Sequence, residues 1–166
     1  ALIAPSRPGA PERIKRATAY LHERGFHVVE PPLARADRSY DRSDDAARAA
    51  EIVSCLNDGA IDGLLCVRGG YGSGRLLDLI DYDAAAAASK VLVGFSDTTA
   101  LNLALYERSR LVTFSGAVSD LDLARETGPD ELAESSLWTA VMSSKQIGAL
   151  PLKSERVKVI RAGRAR

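Results

Sequence analysis

The feature that most restricts the fold is the pentapeptide "GLLCV" at residues 63–67, followed without a spacer by "RGGYGSG". A nearly unbroken apolar run of this length has no polar face to offer to water. It reads as a strand buried on both sides, which demands helices above and below a parallel sheet. The same order recurs along the chain. "ALIA" (1–4) runs into "PSRPG", "VLVG" (91–94) into "FSDTT", and "LVTF" (111–114) into "SGAVSD". Amphipathic segments separate these runs, so the expected class is α/β: a three-layer α/β/α sandwich around a mostly parallel sheet.

Between the strands, a helix is predicted from Pro11, a residue suited to the first helical turn, with Ile14, Ala17 and Leu21 along one face and Gly25 as its stop. "FHVV" (26–29) reads as a further strand. The stretch "PPLARADRSYDRSDD" cannot continue it, because adjacent prolines remove ladder donors, and it reads as a long loop of the kind that often carries function. Ser43 is the expected cap of a helix reaching about Asn57, with Ala46, Ala50, Val53 and Leu56 facing inward. Shorter helices are expected over 74–79 and 98–107, and a last one over 129–142. Ala84 to Ala88 are helix-forming filler. Residues 1–148 form one expected domain. The basic segment 149–166, with its alternating "VKVIR", reads as a connector or edge strand leading elsewhere.

Lys plus Arg and Asp plus Glu balance at 22 each, so no basic field invites nucleic acid. No apolar stretch approaches the roughly 20 residues that span a bilayer, so no membrane partner is expected. Cys55 and Cys66 fall in a predicted helix and strand as small buried hydrophobes. With two histidines and no close cysteine pair, a metal site is not expected. This cysteine usage fits a reducing, cytoplasmic setting.

Two motifs carry chemistry. Glycines 69, 70, 72 and 74, directly after a strand, permit positive φ and turn backbone N–H groups outward, toward a phosphate, a carboxylate or a reaction oxyanion. The G-x-G-x-x-G spacing of a dinucleotide site is absent. In "VGFSDTTALN" (93–102), the order strand, Gly94, Phe95, Ser96, Asp97, helix is that of a nucleophile elbow, although Thr98 stands where such elbows usually have glycine. Ser96 or Asp97 as an ordinary helix cap is the competing reading, and Asp97 could cap while Ser96 reacts. Ligands bind parallel sheets at the C-terminal edge, where one crevice would gather Ser6, the glycine turn, Ser96 and Ser115. A base for the serine is missing: His22 lies within a helix, His27 within a strand, and Glu30 has no histidine to orient.

"APS", "RGGYGSGRLLDLIDYD" and "GFSDTTALN", in that order, resemble the LD-carboxypeptidases, serine peptidases that include muropeptide-recycling enzymes and microcin C immunity peptidases. The resemblance implies that Ser96 is the nucleophile and that the N–H groups of Gly70 and Asp97 form the oxyanion hole. A small peptide substrate would lie against Ser6, Gly69, Tyr71 and Ser115. No metal or organic cofactor is implied. The family's glutamate and histidine come from a C-terminal domain beyond the connector, so these 166 residues alone are expected to hydrolyse little or nothing. The implied reaction releases a terminal D-amino acid from a murein tetrapeptide, in a homodimer. Alternatives are cleavage of a peptidyl-nucleotide antibiotic, or non-catalytic binding of a small anion. Ser115-Gly116-Ala117 departs from the His-Gly-Pro of many relatives, which leaves that wall of the site open.

Overall fold

The computed structural model describes residues 1–35 and 40–148. Four short strands, β1 (Leu2–Ile3), β2 (Gly63–Cys66), β3 (Val91–Gly94) and β4 (Phe114–Ser115), form a sheet in chain order, every neighbouring pair parallel. Leu2 pairs with Leu65, Leu65 with Val93, and Val93 with Phe114. This register puts residues of one parity on each face. Ile3, Leu64, Cys66 and Leu92 pack against α2 (Asp45–Asn57), α3 (Tyr82–Ala86) and α4 (Thr99–Ser109). Leu2, Ala4, Val67 and Val93 face α1 (Pro11–Glu23) and α5 (Glu131–Met142). The sheet therefore divides two apolar cores, which is the three-layer arrangement the unbroken strand run requires.

The first helix follows its sequence pattern, with Pro11 at its start, Ile14, Ala17 and Leu21 buried, and Gly25 at φ 85° beyond its end. Four expectations need correction. Residues 26–29 are not a ladder strand: they run beside β1 with one backbone bond, from the Leu2 N–H to the Val29 carbonyl. The segment is an outer edge, half exposed and cut short by Pro31 and Pro32, which cannot donate. The strand expected over 111–114 is reduced to Phe114–Ser115. Arg110 closes α4 in the left-handed conformation and the Leu111 N–H bonds back to Leu105, so these residues finish the helix before they can join the sheet. Ser43 is not the cap of α2; Asp41 accepts its N–H and heads a 3-10 turn over Arg42–Asp44. The segment expected as a helix over 74–79 is a 3-10 turn, Ser73–Leu76, followed by further turns.

The inward face of α2 is also rotated from the expected one. Ala46 and Ala50 are exposed, and Asp45, Arg48, Ala49, Ile52, Cys55 and Leu56 are buried. Arg48, 1% exposed, donates to the Pro5 carbonyl at 2.5 Å and to Asp45 Oδ1 at 2.6 Å, with its guanidinium 4.6 Å from the Tyr40 ring. Arg75 grips the same carboxylate through Nε at 2.9 Å and Nη2 at 2.8 Å. A helix on one face of the sheet thus clamps the loop after β1 to the turn after β2. No helix among the described residues is long and apolar enough to cross a membrane.

Without the Arg48 guanidinium, the Pro5 carbonyl loses its donor and Asp45 keeps Arg75 alone as its cation. Arg48→Met should cost about 2 kcal/mol of stability, read by urea unfolding; a loss below about 0.5 kcal/mol would deny the clamp its role. Arg75 first, and Arg48 second, hold the Asp45 carboxyl below its usual range. A depressed carboxyl stabilises above its unfolded pKa of roughly 4 and loses that contribution as pH falls through the folded value. The stability gap between the wild-type protein and Asp45→Asn should therefore be full at neutral pH and close in acid.

Candidate active site

The C-terminal ends of the strands meet at Ser96. β3 finishes at Gly94, Phe95 is extended, and Ser96 takes φ 64° before the chain turns through a 3-10 turn, Ser96–Thr98, into α4. A left-handed residue with a Cβ costs roughly 1–2 kcal/mol and persists only where its surroundings enforce it. Here the enforcement is steric. The buried Thr98 hydroxyl donates to the Phe95 carbonyl at 2.9 Å and occupies space a side chain at 94 would need: a Cβ on Gly94 would sit 2.4 Å from Thr98 Oγ1 and 3.0 Å from Cys66 Sγ. Gly94 and Thr98 share one volume, which is how threonine stands where elbows usually have glycine. Burial pushes the Cys66 thiol up to about 12, so it is an inert wall of this packing.

Ser96 is exposed, and its side chain rests on the glycine turn. A Cβ on Gly69 would lie 2.9 Å from Ser96 Cβ and 3.1 Å from its Oγ. The turn reaches the serine because position 69 has no side chain. Gly70 and Gly72 take φ 133° and 131°. The N–H of Gly70 has no partner among the described residues. The N–H of Asp97 belongs to the first helical turn, where no carbonyl of the helix reaches it. Gly69 brings the glycine turn against the Ser96 side chain, and the Asp97 N–H follows directly in the chain.

Asp97 does not cap the helix. Its Oδ2 accepts from the Ser6 hydroxyl at 2.6 Å and the Ser73 N–H at 3.0 Å, while the Ser73 hydroxyl donates to the Asp97 carbonyl at 2.5 Å. One carboxylate ties together the loops after β1, β2 and β3. Ser6, expected to face substrate, is 1% exposed and spends its hydroxyl on this tie. Tyr71 is 81% and Phe95 55% exposed on the rim. Ser115 is exposed in β4 and pairs with Gly94.

The histidines stay away from this edge. His22 is in the last turn of α1, and His27 lines an apolar cleft of about 650 Å³ at the opposite end of the sheet, among Ala1, Gly63, Val91 and Trp138. Glu30 accepts from Thr18 of α1. The Ser96 hydroxyl has no hydrogen-bonded base among the described residues.

Several residues of this edge escaped the sequence reading. Arg48 sits one position from Ala49 in the stripe that also holds Ile52 and Leu56, so a different helical phase would have exposed it as a charge on an apolar face. Ser73 and Thr98 gave no signal beyond their place in the motifs. Asp120 could not be placed from sequence. It lies in a π-turn over Ser119–Leu123, wholly buried, its N–H on the Val67 carbonyl and its carboxylate 3.5 Å from Arg13 and 3.3 Å from Arg68. It braces the root of the glycine turn.

A sequence profile of the LD-carboxypeptidase N-terminal domain matches residues 1–116. A putative carboxypeptidase of Streptomyces coelicolor is 36% identical over 98% of this chain and 54% of its own length. The microcin C7 self-immunity protein MccF of Escherichia coli is 34% identical over 68% of this chain and 33% of its own. The crystal structure of a muramoyltetrapeptide carboxypeptidase from Oxalobacter formigenes aligns with a TM-score of 0.73 at 27% identity, over 84% of this chain and 47% of that one. The chain spans about half, or less, of the length of these relatives.

Because the backbone at 96 is strained, Ser96→Gly should raise stability by about 1 kcal/mol in denaturant unfolding. Gly69→Ala should lower it by about 1–3 kcal/mol, through the collision with Ser96. A destabilised Ser96→Gly would mean that the left-handed turn carries no strain.

Proposed function

The chain belongs to the LD-carboxypeptidase family, and from that premise we propose that it is the nucleophile-bearing part of a serine-type carboxypeptidase acting on small peptides. The observation that carries this reading is the left-handed Ser96, its exposed side chain resting on Gly69 at the C-terminal edge of the sheet. Ser96 Oγ attacks the scissile carbonyl. The carbonyl oxygen becomes an oxyanion held by the N–H groups of Gly70 and Asp97, the amine departs with a proton, and water hydrolyses the acyl-enzyme. The proton needs a base, which this reading assigns to a glutamate and histidine in a C-terminal domain reached through residues 149–166. Residues 1–148 are then the nucleophile domain of a cytoplasmic, homodimeric enzyme. Asp97 and Ser6 hold the crevice together, and Gly69, Tyr71 and Ser115 form its substrate-facing walls.

The substrate proposed is a murein tetrapeptide, cleaved before its terminal D-amino acid. The likeness to MccF supports a second substrate, a peptidyl nucleotide. The exposed Phe95 and Tyr71 favour it, since aromatic faces at a rim suit a stacked nucleobase.

In the two-domain protein, a fluorophosphonate should label Ser96, and Ser96→Ala should abolish release of the terminal residue. The isolated 166-residue chain should be slower by several orders of magnitude, as a serine without its base is. Release by Ser96→Ala, or Ser96-dependent turnover at full rate by the isolated chain, would overturn the assignment.

A further inference from the structure

A carboxypeptidase must recognise the free carboxylate beside the bond it cuts. That group lies a single residue past the scissile nitrogen, so its receptor must stand within about 3.6 Å of chain plus one side chain from the oxyanion donors. Four arginines surround the glycine turn. Arg48 is buried and held by Asp45; Arg75 shares that carboxylate; Arg68 faces Asp120 at 3.3 Å. Their charges are already met inside the fold. Arg7 is exposed, and no carboxylate among the described residues lies within ion-pair reach of it.

Arg7 is also held in place. The Pro5 carbonyl is pinned by Arg48, the Ser6 hydroxyl by Asp97, and Pro8 fixes the following φ. A Cβ on Gly9 would sit 2.6 Å from both Ile14 and Val67, so the loop after β1 is closely packed on either side of one projecting arginine. Its stem lies on Gly70: a Cβ there would be 2.9 Å from Arg7 Cγ and Cδ and 3.4 Å from Nε. Gly70 therefore has no side chain for two reasons, its left-handed backbone and the passage of Arg7 across it. Arg7 and Gly70 lie in the loops that leave the C-terminal ends of the neighbouring strands β1 and β2, the edge at which open parallel sheets bind ligands.

We propose that Arg7 is the receptor for the anionic group on the leaving side of the scissile bond, clamping it by paired N–H donors beside Gly70. This rests on the serine-peptidase reading and adds the residue that makes the enzyme select an anionic end. The anion is either the terminal carboxylate of a peptide or the phosphoryl group of a peptidyl nucleotide, both of which match a planar guanidinium fork.

The test uses the two-domain protein as wild type, Arg7→Met and Arg7→Lys. Substrates are a tetrapeptide ending in a free D-amino acid, the same peptide as its C-terminal amide, and a peptidyl nucleotide. Wild type should prefer acid to amide by about 30-fold in kcat/KM, mostly through KM. That ratio should collapse toward one in Arg7→Met and return only partly in Arg7→Lys, with Ser96 still labelled by fluorophosphonate in each. Loss confined to the peptidyl nucleotide would support the proposal with phosphoryl as the anion. Undiminished discrimination in a labelled Arg7→Met protein, for the acid and the nucleotide alike, would overturn the assignment of Arg7 and leave the hydrolase standing. Failure of wild-type Ser96 to label would instead bring down the hydrolase reading itself.

Discussion

A serine with φ 64° between a strand and a helix is the constraint on which the rest of this edge depends. A side chain in the left-handed region relaxes away unless packing forbids it. Gly94 admits the buried Thr98, Thr98 fixes the Phe95 carbonyl, and Gly69 yields the space into which the Ser96 side chain turns. Each of the three is needed for a different reason. Together they convert a strained backbone into a raised hydroxyl that faces the crevice instead of the core.

The second layer of this organisation is electrostatic. Asp97 gathers two loops onto the elbow, and Asp45, gripped by Arg48 and Arg75, fastens the loop after β1 to the turn after β2. Asp120 braces the same turn from the other face, through Arg68 and Arg13. Loops at a sheet edge have few apolar contacts to fix them, so buried charges do this work, and buried charges are tolerated only when paired. Loops fastened in this way hold their geometry without help from a ligand.

Much of this was legible in the chain. The apolar run at 63–67 demanded a sheet covered on both faces, and the two cores on either side of Leu64 and Leu65 follow from it. The glycine turn and the elbow could be found because they are local: their residues are neighbours in sequence, and each needs a backbone that few residue types allow. The edges were less legible. Residues 26–29 and 111–114 have strand-like composition, but one lies at an outer rim with a single bond and the other is consumed in closing α4. The phase of α2 was not legible because alanines at 46 and 50 suit either face of a helix, and contacts outside the helix, from Arg48 to the Pro5 carbonyl and from Arg75 to Asp45, select one.

By itself, then, the sequence determined the layer architecture, the parallel strands, the order of the loops at one edge and the serine at the elbow, since all of these rest on apolar periodicity and on local backbone permission. Tertiary structure alone decided which side chains meet. That Asp97 ties Ser6 to Ser73 instead of capping α4, that Arg48 reaches Pro5, and that Arg7 crosses Gly70 are contacts between residues dozens of positions apart. No local pattern encodes such contacts, because their geometry exists only once the sheet has set its register and brought the strand ends side by side.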